Sequence, residues 1–307
     1  MNLTRRTMLQ GAGAGLALAA TGARPGWAAT TIKLGGMEVM TLSDGFLVQS
    51  RDFVLAGMAE SDYMPILDRH GQSPDQFRPD CNVTLVRDGD RVVLFDAGSG
   101  STFLPTVGKL SAAMEAAGLS PLDVTHLVFT HAHADHLWGV LDDFDEPLFA
   151  NATHMIGKTE FDFWIAPGTV DAVGDARAAM AVGAQRRLEI LADRLEFFVD
   201  GAEILPGIAA RLTPGHTPGH MSFELRSGSD AAMILGDAVT NHHISFERPA
   251  MLSAVDQDRE TAAQTRTSLL ERIAAEKMPV LGYHLPGGGI GRVERHGGAY
   301  RFVALEA

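Results

Sequence analysis

Four side chains able to bind a metal fall within six residues of the segment Phe129-Thr130-His131-Ala132-His133-Ala134-Asp135-His136. A helix would place cooperating ligands at i and i+4, whereas this spacing suits a turn leaving a strand. On such a turn His131 and His133 can point to one centre while Asp135 and His136 point to another. Imidazole and carboxylate together suit zinc and similar borderline metals. Three later segments supply what such a centre still needs: Thr213-Pro-Gly-His216-Thr-Pro-Gly-His220, Leu235-Gly236-Asp237 and Gly282-Tyr283-His284. Each follows a stretch that reads as a strand, and ligands at several strand ends can converge on one edge of a sheet pair. The lone cysteine, Cys81, excludes an intramolecular disulfide and a thiolate zinc site. No Gly-x-Ser-x-Gly turn presents a serine nucleophile.

The elements that must position these residues follow from pattern. Val124–Thr130 is a short apolar strand running straight into His131. Asn82–Val86 and Arg91–Phe95 flank Asp88-Gly89-Asp90, a hairpin signal. Ala209–Leu212, Met221–Leu225, Ala231–Leu235 and Pro279–Gly282 read as strands, the second and third joined through Gly228-Ser229. Thr31–Val48 reads as strands broken at Gly35-Gly36 and Asp44-Gly45, and Gly291–Val303 as a hairpin turning at Gly297-Gly298. Val107–Ala117 has helical spacing stopped by Gly118, and Thr169–Phe198 has mostly helical composition. Arg259–Lys277 predicts a helix with Ala262, Leu269, Leu270 and Ile273 on one face. Strands and helices alternate through both halves without a linker, which predicts one α/β domain of about 275 residues.

Composition sets the boundaries of function. The 307 residues are 46% hydrophobic and 21% charged, the profile of a packed chain and not of a disordered one. A net charge of −13 makes nucleic acid an unexpected partner, since phosphate binding relies on a basic surface. Residues 1–28 have the three parts of a secretory signal: Arg5-Arg6, a soft apolar run from Met8 to Ala20, and the small-residue exit Gly26-Trp27-Ala28. The arginine pair and weak hydrophobicity resemble a Tat signal, which predicts a periplasmic or secreted protein. The 13-residue run is too short to span a bilayer, so no membrane anchor is expected after cleavage. The segment holds three Arg and no acidic residue, so its removal takes the net charge from −13 to −16.

With these segments in place, the chain resembles the metallo-β-lactamase superfamily. His131-x-His133-x-Asp135-His136, then His216, Asp237 and His284, is similar to that family's dinuclear pattern, and Asp96-Ala97-Gly98 to its early Asp motif. The resemblance implies a four-layered αββα sandwich over residues 29–307 with the metals at one edge. It implies two divalent metal ions per chain, zinc foremost: His131, His133 and His216 for the first, Asp135, His136 and His284 for the second, and Asp237 bridging. Asp96 would brace the site from behind the ligands. Asp135 and Asp237 would carry the catalytic role of holding the metal pair that shares a hydroxide.

Within the superfamily the chain looks closest to the methyl parathion hydrolase-like and lactonase-like secreted branch. Thr41-Leu-Ser-Asp-Gly45, Phe161-Asp-Phe-Trp164, His284-Leu-Pro and Gly298-Ala-Tyr-Arg-Phe302 carry that resemblance. It implies a hydrolase cleaving aryl esters, lactones or phosphotriesters of small neutral molecules, with Phe103 and Trp164 lining the substrate pocket. Many lactonases of the superfamily place Tyr three residues after the bridging Asp; Thr240 stands there, which favours good leaving groups. An iron-dependent oxidoreductase on the same fold and a true β-lactamase are the alternatives, and a homodimer is left open. His126 and His154 read as structural, His220 as a hydrogen-bonding group behind the site, and Cys81 as inert. His242-His243 lie close enough after Asp237 to reach the pocket.

Overall fold

Gly35-Gly36 does break the first apolar stretch: β1 (Thr30–Leu34) and β2 (Met37–Phe46) turn over there, with Gly35 at φ 56°. Asp44-Gly45 does not. A bulge between Ser43 and Gly45 carries β2 on to Phe46. The Asp44 carboxylate accepts from the backbone N–H of Ser99 at 2.8 Å and of Leu110 at 2.9 Å. The expected break is thus a tether for the loop that carries Phe103. The computed structural model describes residues 30–305, so the leader expected over residues 1–28 lies outside the described residues.

β3 (Gln49–Ser50) pairs with β4 (Gln76–Phe77), bracketing α1 (Arg51–Val54) and α2 (Glu60–Arg69). The hairpin β5 (Asp80–Asp88) and β6 (Arg91–Phe95) leads through α3 (Leu110–Ala116) to β7 (His126–Phe129) and α4 (Ala134–Leu137). β8 (Thr153–Gly157), α5 (Lys158–Ile165), α6 (Thr169–Ala172) and α7 (Asp175–Leu191) follow. The helical composition expected to run through Phe198 ends earlier, because Leu195–Phe198 forms β9 at the sheet edge. Leu-Glu-Phe-Phe suits a pleated, half-buried strand, and β8 offers it a parallel partner.

The first sheet runs β1-β2-β5-β6-β7-β8-β9, antiparallel as far as β6 and parallel beyond it. The second runs in chain order through β10 (Glu203–Leu205), β11 (Ile208–Leu212), β12 (Met221–Ser227), β13 (Asp230–Gly236), β14 (Pro279–Gly282), β15 (Ile290–His296) and β16 (Ala299–Ala304). Only its β13–β14 pair is parallel, because α8 (Ile244–Glu247) and α9 (Arg259–Glu276) cross over between them.

Two-residue periodicity divides the core. Val93, Phe95 and Val128 face the second sheet, where Phe223, Leu225 and Ile234 meet them. Leu94, Leu127 and Phe129 face the other way, onto Leu110 and Met114 of α3 and Leu188 and Leu191 of α7. Met233, Leu235 and Val280 pack under Leu269, Leu270 and Ile273 of α9. The result is the αββα four-layer sandwich. No helix among the described residues is long and apolar enough to cross a membrane.

Candidate metal centre

The parallel pairs build the site. β6 and β7 end at Asp96 and Thr130-His131; β13 and β14 end at Asp237 and Tyr283-His284. The sheets are joined at this edge by Met221 N–H donating to Thr130 O and Asn82 N–H donating to Tyr283 O, both at 2.9 Å. Carboxyl ends of parallel strands in both sheets therefore open on one crevice.

His131, His133 and His216 form one group of buried donors. His133 Nδ1 lies 3.0 Å from His131 Nε2 and 2.9 Å from His216 Nε2. Burial, reinforced by neighbouring imidazoles, holds His131 and His133 well below the usual histidine range, so both present neutral lone pairs. In the other group, His136 Nε2 is 3.2 Å from Asp237 Oδ1 and 3.6 Å from Asp135 Oδ2. His284 Nε2 is 3.3 Å from Asp135 Oδ2 and 3.2 Å from Asp237 Oδ2, which is itself 3.3 Å from His216 Nε2. Asp237 thus faces both groups.

These residues fit a pair of cations. Asp135 Oδ2, His136 Nε2 and Asp237 Oδ1 are buried without a hydrogen-bond partner. His136 Nε2 sits at ion-pair distance from each of the two carboxylate oxygens without hydrogen-bond geometry to either, so the three aim at shared points between them. One His133 nitrogen faces two others, and a single proton cannot satisfy all three; a cation between them would. Burial alone would raise Asp237, but His284 and His136 hold its carboxyl well below the usual carboxylate range. Burial alone would lower His136, but Asp237, Asp135 and Asp96 push it up to about 10. Ionised Asp237 beside the neutral rings of His131 and His133 is the kind of donor set zinc takes, and on His136 a bound cation would replace the proton that the three carboxylates otherwise hold there.

Four of these residues are oriented from behind. Asp96, at φ 69°, accepts from Thr130 N–H at 2.7 Å on one oxygen; the other takes Thr130 Oγ1–H at 2.8 Å and His136 Nδ1–H at 2.7 Å. His284 Nδ1–H donates to Asp80 O at 2.7 Å, and Asn82 Nδ2 donates to Tyr283 O and Leu285 O. His216 Nδ1 lies 3.1 Å from Asp256 Oδ1, whose other oxygen meets Arg266 Nη1 at 3.2 Å. His220 Nε2 accepts from the Asp237 backbone N–H at 2.8 Å, so its Nδ1–H donates to Thr213 Oγ1. Burial then lowers His220 to about 3. Cys81 is buried beside Asp135 and His284, and burial pushes its thiol up to about 12. Asp256 and Asn82 were missed from sequence. Their partners at the site lie 40 and about 200 residues away, and nothing in their sequence neighbours marks a buried role.

A cavity of about 720 Å³ opens over the metal-facing atoms, floored by His133, Asp135, His216, Asp237 and His284. Its walls carry Leu47, Val54, Met58, Phe77 and Met251, together with Phe103, Thr240, His242 and His243. Trp164 is a correction. It is fully buried, donates its Nε1–H to Glu160 Oε1 at 2.6 Å, and packs edge-on behind His133 with ring centroids 5.7 Å apart. Its side of α5 faces the core, so it supports a ligand instead of touching substrate.

Comparison with known proteins gives consistent matches. The profile of the Metallo-beta-lactamase superfamily matches residues 78–284. The solved structure of AidC, a dizinc quorum-quenching lactonase in complex with its product, is 26% identical with a TM-score of 0.85, covering 91% of this chain and 98% of that one. The hydrolase AbOPH is also 26% identical, with a TM-score of 0.83 over the same shares. N-acyl homoserine lactonase AttM of Azorhizobium caulinodans is 27% identical over 168 residues, 54% of this chain and 60% of the relative. Uncharacterized protein YobT of Bacillus subtilis is 30% identical over 161 residues, 51% and 61% respectively. The chain thus spans about three fifths of the length of these curated relatives.

Proposed function

The chain belongs to the metallo-beta-lactamase superfamily, and from that premise we propose that it is a dizinc hydrolase of ester-type bonds in small neutral molecules, lactones foremost. One observation carries the reading: Asp237 lies 3.2–3.3 Å from His136, His216 and His284, and with His133, Asp135, His216 and His284 it floors a largely apolar cavity of about 720 Å³, a size suited to a small ligand. His131, His133 and His216 would hold one metal and Asp135, His136 and His284 the other, with Asp237 between them. When bound, such a pair supplies Lewis acidity toward the carbonyl oxygen and an activated water as nucleophile.

The chain's own groups do the rest. Asp96 and Asp256 engage Nδ1 of His136 and His216, so that Nε2 is the atom each ring turns toward the metal it would hold. His220 fixes the backbone of Asp237 and so the angle at which the shared carboxylate enters. Leu47, Val54, Met58, Phe77, Phe103 and Met251 exclude water and favour an apolar acyl or aryl group over the reacting bond. Tyr283 does not replace the phenol missing at Thr240, because its hydroxyl donates to Asp135 O at 2.6 Å. Thr240 on the cavity wall therefore favours a second reading, in which aryl esters and phosphotriesters with good leaving groups are turned over best.

The lactonase names of the relatives support the first reading; the oxidoreductase and β-lactamase alternatives gain nothing from the proteins named above. We read residues 1–28 as a Tat leader, which would place this activity outside the cytoplasm. The test is kcat/KM of metal-replete protein on a matched panel of acyl-homoserine lactone, p-nitrophenyl ester, aryl phosphotriester and penicillin. Lactone first supports the main reading, an aryl substrate first the second, and penicillin first would reject both.

A further inference from the structure

Glu160 has no part in the hydrolase just described, yet it is a fully buried carboxylate one turn from the site. Its four partners are all neutral donors. Oε1 accepts from Ala132 N–H at 2.9 Å and Trp164 Nε1–H at 2.6 Å; Oε2 accepts from Thr217 Oγ1–H at 2.7 Å and Gly219 N–H at 3.1 Å. Ala132 lies between His131 and His133, and Thr217 follows His216. One oxygen therefore holds the turn after β7 in the first sheet, and the other holds the loop before β12 in the second. A Cβ on Gly219 would lie 2.1 Å from Glu160 N and 2.4 Å from its Cα, so this loop is seated directly on the start of α5. Trp164, tied to the same carboxylate, backs the His133 ring.

We propose that Glu160 is a positioning residue that clamps the two histidine-bearing turns in register, so that His131, His133 and His216 meet at one point. The inference rests on the reading that these three histidines bind a metal. It explains why a carboxylate is kept where burial disfavours its charge. A carboxylate has two oxygens that only accept, and the two turns present only donors to it. An amide cannot serve both. In Glu160→Gln the carbonyl oxygen is best turned to Ala132 and Trp164, whose N–H groups are fixed. The NH2 then faces Thr217, whose hydroxyl can rotate to accept, and Gly219, whose N–H cannot.

The clamp acts on one metal only, which distinguishes it from general bracing. Holoprotein of wild type, Glu160→Gln and Thr217→Val would be titrated against a chromogenic chelator that resolves two dissociation constants. His284→Ala versions would identify the constant belonging to the His131–His133–His216 group. That constant should weaken about 10- to 100-fold in Glu160→Gln, the usual effect of losing a ligand's supporting partner. In Thr217→Val it should weaken less, and in the double variant the effects should be less than additive because both act through Oε2. The second constant should stay within a few-fold. Equal weakening of both constants, or a lowered melting temperature with neither constant changed, overturns the clamp. Wild-type protein holding fewer than two metals overturns the metal reading, and the clamp with it.

Discussion

Asp256 offers the sharpest test of how the site is braced. Its carboxylate is 2% exposed and serves two partners, His216 Nδ1 at 3.1 Å and the 3%-exposed Arg266 at 3.2 Å. Asp256→Ala frees the His216 ring and leaves a buried guanidinium without its counter-ion. Breaking a buried pair costs ~3–5 kcal/mol. Arg266 keeps Pro249 O at 2.9 Å and Met251 O at 2.7 Å as acceptors, so the lower end applies. With an unfolding entropy of about 2.1 cal/mol/K per residue, about 3 kcal/mol lowers Tm by roughly 5 °C in metal-free protein of this size. Metal affinity at the His131–His133–His216 group should fall about 10- to 100-fold. Asp256→Asn separates the two effects. Its carbonyl can still accept from His216 Nδ1–H while its NH2 confronts Arg266, so most of the stability loss should persist with affinity nearly kept. Thermal unfolding followed by circular dichroism and chelator competition read the two quantities independently. If Asp256→Ala destabilises the fold but binds both metals as wild type does, then Asp256 does not orient His216 and the reasoning is wrong.

Three other expectations can be checked directly. Elemental analysis of metal-replete protein should give two metals per chain, and Asp237→Ala, which removes the carboxylate facing both groups, should lose most of the activity and at least one metal. His220 is lowered by burial to about 3, so it folds as a neutral ring; its stabilisation is complete above the unfolded value near 6.5 and is lost at about 1.4 kcal/mol per pH unit as pH falls toward 3. Denaturant midpoints of metal-free protein from pH 7 to 4.5 should therefore decline more steeply in wild type than in His220→Gln, and equal slopes would discard this assignment. Changing Arg5 and Arg6 together to Lys should strand the precursor in the cytoplasm; an undiminished periplasmic yield would rule out the Tat reading.

What could be read from sequence was local. The ligand-bearing turns announce themselves because each sits within a few residues of an apolar strand end, and strand ends are where a sheet edge puts its chemistry. The four layers are implied by the family resemblance; the strand and helix pattern alone predicts one α/β domain, in which Val93, Leu94 and Phe95 alternate faces as a doubly covered sheet requires. Long-range pairings carry no such mark. Asp256, Glu160 and Asn82 act on partners 28 to 203 residues away, and nothing in their neighbours distinguishes them from solvated polar residues. Asp44-Gly45 read as a break because a bulge and a turn use the same residues. Trp164 read as a pocket aromatic because its sequence position places it near the site without saying which side of α5 faces the cavity. Its partner Glu160 lies one turn back on the same face, and both point inward.

Asp96 combines a left-handed backbone with three donors on its carboxylate, and few side chains could meet both demands. At φ 69° most side chains are strained, and the ordinary escape, Gly, would relax the backbone and delete the carboxylate. Asn shares the tolerance for this conformation but differs where it matters. Thr130 N–H is a fixed donor to one oxygen, so an Asn carbonyl must turn there and its NH2 must face Thr130 Oγ1 and His136 Nδ1. His136 could then accept only by moving its proton to Nε2, the atom aimed at Asp237. A one-atom exchange 40 residues away would thus switch the tautomer of a ligand and cap its lone pair, with the fold left nearly untouched. Backbone geometry thus works against most other side chains at this position, and proton placement works against the amide.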